Sequence, residues 1–483
     1  MMLKKLFLTF LFLNTLYSFS QEIVSSTPLE LKKNRDVFQT VNDATKKVTV
    51  FVSDKIKVKA LELNEKMQVT DSISTERPDP KVYKNMIGYN ISNNSTRLFW
   101  SSGDYDAIFG QLFDFSSRKV VTKQYPLVLK NEKVLQQFSE NDNFYILTVT
   151  KKSNNLNLHI FDKNGDYTTK VISLDGFHFF KLNYIKSDLY GVLEQNLLAF
   201  EPPFSLPAIN VNNPTSLNDA AKRRKCYFDK KQLVITIDLN VDFTQVILID
   251  LEKFTAIEKI IKSTSISKLS SSGFQISISS NSFFIDNKLY QIKTSSDEFY
   301  FTIRNLDGTV IKEYTTTSDT TIDFKNSEIS QQGGDFGGNR TLETSSQFLR
   351  KINNLNTGIS CYPIGENTLA TIGGISGPQQ SGGQAVMGQF GFIGAIMGEI
   401  FFNPTMNNFN SYANRKVVKI DGVFDKDGNH IKGDLQPLAF DKIRTFFDKN
   451  NDVSSQILFK IKDYYLGYYD NKTKEYIIRK FND

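Results

Sequence analysis

The chain has 483 residues, of which 40% are hydrophobic, 13% aromatic and 23% charged, which is ample apolar surface for a large core and excludes an intrinsically disordered polypeptide. Its formal net charge of +6 is spread along the length, too weak and too dispersed for the electrostatic footprint of a nucleic-acid binder. Length alone does not divide it into domains, because all-β repeat architectures run this long as one unit.

In chain order, the first element is a targeting segment. Lys4 and Lys5 precede the apolar run Leu6 to Leu13, and Ser18-Phe19-Ser20 puts small residues where a signal peptidase reads. Residues 1–20 are therefore expected to be a signal peptide cleaved before Gln21, which lowers the net charge to +4. The run is too short for a comfortable membrane anchor.

From there on, almost every segment alternates apolar and polar residues over five to eight positions, broken by Asn, Asp, Gly or Lys-rich turns. This is the strand and hairpin signal. VTVFV, IKVKALEL and MQVTDSI come first, then RLFWSS, AIFGQLFDF and KVVTKQY. The clearest copy of the pattern is Val134 to Leu174, with four strands and DKNG at the last turn. A degenerate copy is expected around FHFFKLNYIKSDLYGVLEQNLLAF. A proline-rich connection, EPPFSLPAINVNNP, leads into the basic cluster Lys222 to Lys225, read as a solvated loop. QLVITIDL, TQVILIDL and TAIEKII follow, then KLYQIKT, FYFTIRN and TVIKEY. GISCYP, TLATIGG, KVVKIDGVF and NHIKG form the next predicted unit, and QILFKI, YYLGYYD and KEYIIRK the last.

The tight turns recur at a spacing of about 45 to 55 residues, with about four strands per unit, as in a β-propeller blade. The pattern resembles the propeller architecture in general. The expected fold is all-β: a single β-propeller over 21–483, of about seven or eight four-stranded blades. The alternative is a pair of β-sandwich domains linked through 202–214. In a propeller, Cys226 and Cys361 fall on first strands two blades apart, beyond the ~7 Å Cα limit for a bridge. Both are predicted to be free, buried thiols.

Signatures of chemistry are scarce. His159, His178 and His430 have no second histidine or cysteine at ligand spacing and read as structural. Gly374-Ile375-Ser376-Gly377-Pro378 has proline where a nucleophile elbow needs glycine. GGDFGGNR, Gly333 to Arg340, has Asn339-Arg340 where a phosphate loop needs Lys-Ser/Thr. DKNGD, DKDGN and DKNND, beginning at Asp162, Asp425 and Asp448, lack the rest of a calcium loop and read as turns. No metal and no cofactor are expected. Carboxylates gathered around a propeller axis leave a glycan-active hydrolase or lyase as an alternative function.

One segment departs from the pattern. Residues 375–414 stand where a connection of a few residues is expected, and Ala385 to Phe402 carries a single charge, Glu399, and four glycines. An insert of this length inside a repeat is usually functional or disordered, and its plainest reading is a segment folded back over its own propeller to cover apolar surface. It is expected to start and end on neighbouring strands of one blade, so it cannot cross a membrane once. Met387, Phe390, Phe392, Ile393, Ile396, Met397, Phe401 and Phe402 are the candidate contact residues, for a protein partner or, alternatively, a lipid surface. Gly333, Gly334, Gly337 and Gly338 form a second glycine-rich loop expected on the same rim.

The signal peptide with its closing Ser-Phe-Ser-Gln and the Lys/Asn/Phe-rich composition resemble exported proteins of Gram-negative Bacteroidota. The expectation is a cell-envelope binding or scaffold protein, periplasmic or outer-membrane-associated, alternatively extracellular. Its partner would be another envelope protein.

Overall fold

The computed structural model describes residues 21–30, 36–42, 45–92, 95–229, 231–267, 276–333, 338–378, 415–450 and 453–483. The predicted signal peptide and nearly all of the insert, from 379 to 414, lie outside the described residues. So do all eight candidate contact residues, along with Gly334 and Gly337.

The fold is nearly all-β, 54% strand and 8% helix. Strand β1 (Gln21–Pro28) is followed by a four-stranded antiparallel sheet of β2 (Asp36–Val41), β3 (Val48–Ser53), β4 (Lys57–Leu63) and β5 (Val69–Glu76). A second holds β6 (Asn85–Ser92), β7 (Ser95–Ser101), β8 (Ile108–Asp114) and β9 (Lys119–Tyr125). A third holds β10 (Glu132–Glu140), β11 (Asn143–Thr150), β12 (Asn155–Phe161) and β13 (Tyr167–Ser173). The short pair β14 (Phe179–Phe180) and β15 (Lys186–Ser187) precedes helix α1 (Leu189–Leu193).

A five-stranded sheet then runs β16 (Ala208–Ile209), β17 (Arg224–Asp229), β18 (Gln232–Ile237), β19 (Phe243–Asp250), β20 (Thr255–Lys262), with α2 (Leu217–Ala220) between its first two strands. The next is β21 (Ser279–Ile285), β22 (Lys288–Thr294), β23 (Glu298–Asn305), β24 (Val310–Thr317). After it come β25 (Ile329–Gln332), β26 (Asn339–Leu342), helix α3 (Ser345–Asn353), β27 (Asn356–Ile364), β28 (Asn367–Ile375) and β29 (Val417–Phe424), whose sheet order is β26-β25-β29-β28-β27. Helix α4 (Ala439–Lys449) leads to β30 (Val453–Lys460), β31 (Tyr464–Asp470) and β32 (Glu475–Phe481). That last sheet is completed by the first strand, in the order β1-β32-β31-β30.

The chain divides into two compact units. Of the described residues, the first takes those up to Pro126 and from Gln436 onward. The second takes those between Leu127 and Leu435. In the first unit, Val48, Val50, Leu61 and Leu63 join Ile457, Tyr469 and Ile478 in one apolar cluster, and Phe51, Ala60, Leu98, Trp100 and Phe113 form another. In the second, one cluster joins Leu147, Leu158 and Cys226 to Ile247, and the other joins Val234 and Phe283 to Phe301, Ile359 and Cys361. Both thiols are free and buried, each in its own cluster.

Burial follows strand position. β3, β7, β11, β12 and β22 are buried on both faces over nearly their whole length. β9, β13, β20 and β24 are mostly exposed. Middle strands can be continuously apolar only where both sheet faces are covered, whereas outer strands carry the Lys, Glu and Thr that protect an edge.

One turn at the end of a strand in each large sheet has a common device. Asn64, Asp114, Asp162, Asp250, Asp307, Asp425 and Asp470 each turn a side-chain oxygen back onto backbone amides, at 2.7 to 2.9 Å for the residue two positions on. These are Asx turns. The carboxylates of the calcium-like DKNGD and DKDGN are thus engaged by their own loops. DKNND instead begins at the end of α4.

Two strand expectations are corrected. The degenerate copy near residue 180 forms the short β14–β15 pair, a 3-10 turn at Leu182–Tyr184, an isolated bridge from Leu198 to Glu201, and α1, whose Leu189, Tyr190, Val192 and Leu193 are buried in the adjoining core. Most of its apolar residues fill a core rather than build a four-stranded sheet. NHIKG makes only an isolated bridge, Phe424 to His430. The place beside β29 is taken by β25, through Ser330 to Lys419, Gln331 to Val418 and Gln332 to Val417.

Candidate binding site at one end of a five-stranded sheet

Strand β29 lies between β28 and β25, and Val417 is paired on both sides, with Ile375 and with Gln332. The insert leaves β28 after Ile375 and re-enters β29 at Val417, while the Gly333 to Gly338 loop leaves β25 after Gln332. Both glycine-rich segments are therefore rooted at the same end of one sheet. The insert joins two paired strands, as the sequence pattern indicates.

The root is tightly built. The Ser376 amide donates to the Lys416 carbonyl at 2.9 Å, the Lys416 amide to Ser376 Oγ at 3.0 Å, and an Arg415 guanidinium nitrogen to the Ser376 carbonyl at 3.0 Å. The guanidinium also lies 4.9 Å from the centroid of the Phe200 ring, within cation–π range. Beneath it, Leu217, Ala221, Ile375 and Val417 form a small buried cluster with Phe200 packed against it.

Two glycines make this packing possible. Gly333 has φ +65°, and a β-carbon there would stand 2.3 Å from the Arg415 carbonyl oxygen. At Gly374 a β-carbon would meet Leu355 at 2.8 Å and the Ile352 backbone at 3.2 Å, so its absence lets α3 approach β28. Helix α3 is started by Thr344, whose side chain accepts from the Gln347 amide at 3.2 Å, and it buries Phe348, Leu349 and Ile352.

The basic cluster Lys222 to Lys225 lies under this end, and its reading as a solvated loop is corrected. Arg224 and Lys225 are fully buried at the start of β17. Arg224 Nε donates to Glu201 Oε1 at 2.9 Å, and both side chains are inaccessible. Further Arg224 nitrogens donate to the carbonyls of Val192, Leu193, Gln195 and Pro202. Lys225 Nζ is 3.0 Å from Asp238 Oδ2 and 3.1 Å from Asn281 Oδ1. Asp238 also accepts from Thr244 and Ser282 hydroxyls. Burial lowers the pKa of both cations, and Glu201 and Asp238 respectively oppose that shift. The stretch 202–214 is correspondingly no linker: Pro207 accepts from the Cys226 amide at 2.9 Å, and Leu206 from Gln136 at 2.8 Å.

Four further cations belong to elements next to the root. Lys416 precedes β29, Arg340 sits on β26 opposite Gln331, and Arg350 and Lys351 occupy the last turn of α3. Arg340 donates to Gln331 Oε1 at 2.9 Å. Lys351 is held below its ordinary value by burial, and further by the charges of Lys416, Arg340 and Arg350.

The three histidines are partnered by protein groups. His159 Nε2 is 2.8 Å from Glu132 Oε2, and its Nδ1 is 2.8 Å from the Tyr167 hydroxyl. His178 meets Glu258 at 2.9 Å and His430 meets Asn326 Oδ1 at 2.9 Å. Among the described residues no group of three or more His, Cys, Asp or Glu is arranged to hold a metal ion, and no helix is long and apolar enough to cross a membrane. A cavity of about 520 Å³ lies at the other end of β25 and β26, lined by Asp319, Glu328 and Glu343 together with Lys325 and several hydroxyls.

No protein-family model matches this sequence, and no curated protein does. Among solved structures, a DUF4221 family member from Bacteroides vulgatus aligns over 84% of this chain and 99% of its own at 11% identity and a TM-score of 0.27. A Bacteroides fragilis protein described as exported aligns over 84% and 96%, at 11% identity and 0.26. An apocarotenoid oxygenase of Synechocystis aligns over 59% of this chain and 63% of its own, less than two thirds of its length, at 9% identity and 0.30. Scores this low carry no inference about function.

Proposed function

We propose that this is an exported cell-envelope binding or scaffold protein. Its contact surface for a protein partner is the sheet end from which the 375–414 insert and the Gly333 to Gly338 loop emerge. The observation that carries the reading is the double pairing of Val417, which roots both glycine-rich segments side by side on a buried foundation. Loops held by a rigid scaffold are where binding residues concentrate. The accompanying fold reading is a seven-bladed propeller, supported by seven large sheets with doubly buried middle strands and by the pairing of β1 with β32. Export rests on the signal-peptide pattern of residues 1–20.

The test is deletion of 376–411 with a short linker from Ile375 to Tyr412. The reading expects cooperative folding to be kept and a specific envelope protein, cross-linked by the intact chain, to be lost. Loss of folding instead assigns the insert to the protein's own core. A glycan-active reading is favoured by the carboxylate- and hydroxyl-lined cavity. Glu328 accepts from Thr341 at 2.7 Å there, and Glu328→Gln is its test against polysaccharide substrates.

A further inference from the structure

We propose that the cavity of about 520 Å³ beside β25 and β26 binds a glycan that carries free amino groups, a run of hexosamine units. This assignment rests on the glycan reading of the same cavity and adds the charge of the sugar that it takes.

The cavity wall is drawn from the turn after β24, the segment before β25, the end of β26 and the start of α3. Ile322, Ile329 and Leu342 supply its apolar part and are anchored in the core cluster of this unit, so they offer a firm surface for the C–H face of a sugar ring. Around them stand three carboxylates, Asp319, Glu328 and Glu343, against one cation, Lys325. Lys325 Nζ donates to the Ser327 carbonyl at 3.2 Å. Among the described residues none of the three carboxylates is in an ion pair, with Lys325 or with any other cation. Three acids less one base leave the wall with two negative charges in excess. Among the described residues no three acids converge as a metal site requires. Carboxylates spread over three separate segments suit a larger ligand with several cationic points.

Ser345 is the independent sign of a ligand. It lines the cavity, is 7% exposed, and its hydroxyl has no hydrogen-bond partner among the described residues. A hydroxyl so nearly buried and left open toward a cavity is costly unless something there pairs with it. Its neighbours are already engaged: Thr344 accepts from the Gln347 amide at 3.2 Å, and Thr341 donates to Glu328 at 2.7 Å. As the first residue of α3, Ser345 also carries one of the amides that a helix start leaves without an intrahelical partner. These donors suit sugar hydroxyl oxygens. A neutral glycan would leave the excess charge unpaired, and a simple polyamine would leave Ser345 and the apolar wall unused. A glycan with ammonium groups meets all three.

The experiment is calorimetric titration of the chain from residue 21 onward with three probes: a glucosamine tetramer, its fully N-acetylated counterpart, and cadaverine. The glucosamine tetramer should bind ~10-fold or more tighter than either of the others. Glu328→Gln with Glu343→Gln should weaken it by ~10-fold, and Ser345→Ala by about three-fold. The same charge removed at the exposed Glu194 and Glu366 should leave it within about two-fold. Should Ser345→Ala not fold, the exposed pair Glu328 and Glu343 carries the test. Equal binding of the two tetramers, cadaverine binding as tight as the glucosamine tetramer, no binding of any probe, or no effect of the glutamate pair each overturns the proposal. The catalytic reading fails separately. Binding of the glucosamine tetramer with no polysaccharide cleaved sinks catalysis and supports this inference, and cleavage of neutral polysaccharides with no preference for amino groups does the reverse.

Discussion

Arg224 Nε lies 2.9 Å from Glu201 Oε1, and neither side chain reaches solvent. Ion pairs this deep contribute little net stability when intact but are costly to break, because the survivor is left as an uncompensated buried charge. Glu201→Gln should therefore destabilise the second unit by about 3 to 5 kcal/mol. Replacing both, as Glu201→Leu with Arg224→Met, should cost less than either single change. Urea unfolding of the four proteins measures this coupling. Additive losses would mean that the pair does not act as a unit.

The same pair shows why sequence reasoning misplaced the KRRK cluster. Four consecutive cations read as solvated, and the acid that neutralises Arg224 stands 23 positions earlier, inside a stretch that looks like a proline-rich linker. Local pattern reports strands well, because period-two burial is written in neighbouring residues. It therefore located the hairpin of Ile375 and Val417 and, through strand spacing, both buried cysteines. It did not report that β25 displaces NHIKG beside β29, or that β1 completes the last sheet, since both depend on partners far away in sequence.

Gly333→Ala tests the root of the site. The residue is at φ +65° and its new β-carbon would lie 2.3 Å from a backbone oxygen, so conformational strain and a clash that no side chain can relieve act together. A loss of about 2 to 4 kcal/mol is expected. Gly308 is at φ +90° with nothing within 4 Å of the new atom, so Gly308→Ala should cost only about 1 kcal/mol. Thermal melts of the two variants separate the clash from the dihedral.

The Asx turns predict a pH dependence. The Asp250 carboxyl is lowered from its ordinary value by the Lys253 amide, then by the Glu252 amide, and that of Asp425 chiefly by the Asn429 amide. A carboxyl with a lower pKa in the folded state adds stability above its unfolded value, and this is lost as pH falls through the folded one. In Asp250→Asn and Asp425→Asn the side-chain oxygen still accepts from the turn. The variants should remain folded at neutral pH and lose less stability than the wild type from about pH 5 to about pH 2. Urea midpoints across that range provide the comparison.

Burial raises the thiol pKa of Cys226 and of Cys361, and both side chains are inaccessible. Neither should react with a thiol-specific reagent in the native protein on the timescale of minutes, and both should react at once in denaturant, without prior reduction. A disulfide would leave the unfolded chain unreactive until reduced.

The pairing of β1 with β32 makes the first strand a structural requirement. Its register runs from Gln21 with Phe481 to Pro28 with Glu475. Thr27 and Ser26 lie opposite Tyr476 and Ile477, both buried. Removing residues 21–28 would strip this cover from β32 and leave a long unpaired strand edge that invites edge-to-edge association. A chain beginning at Leu29 should melt at lower temperature and form soluble aggregates that size-exclusion chromatography resolves, while one beginning at Gln21 should remain monodisperse. Supplying Gln21–Pro28 as a synthetic peptide should partly restore the melting temperature, because strand addition to the exposed edge recreates the lost ladder. An unchanged melting temperature on truncation would show that β1 contributes nothing to holding the last sheet.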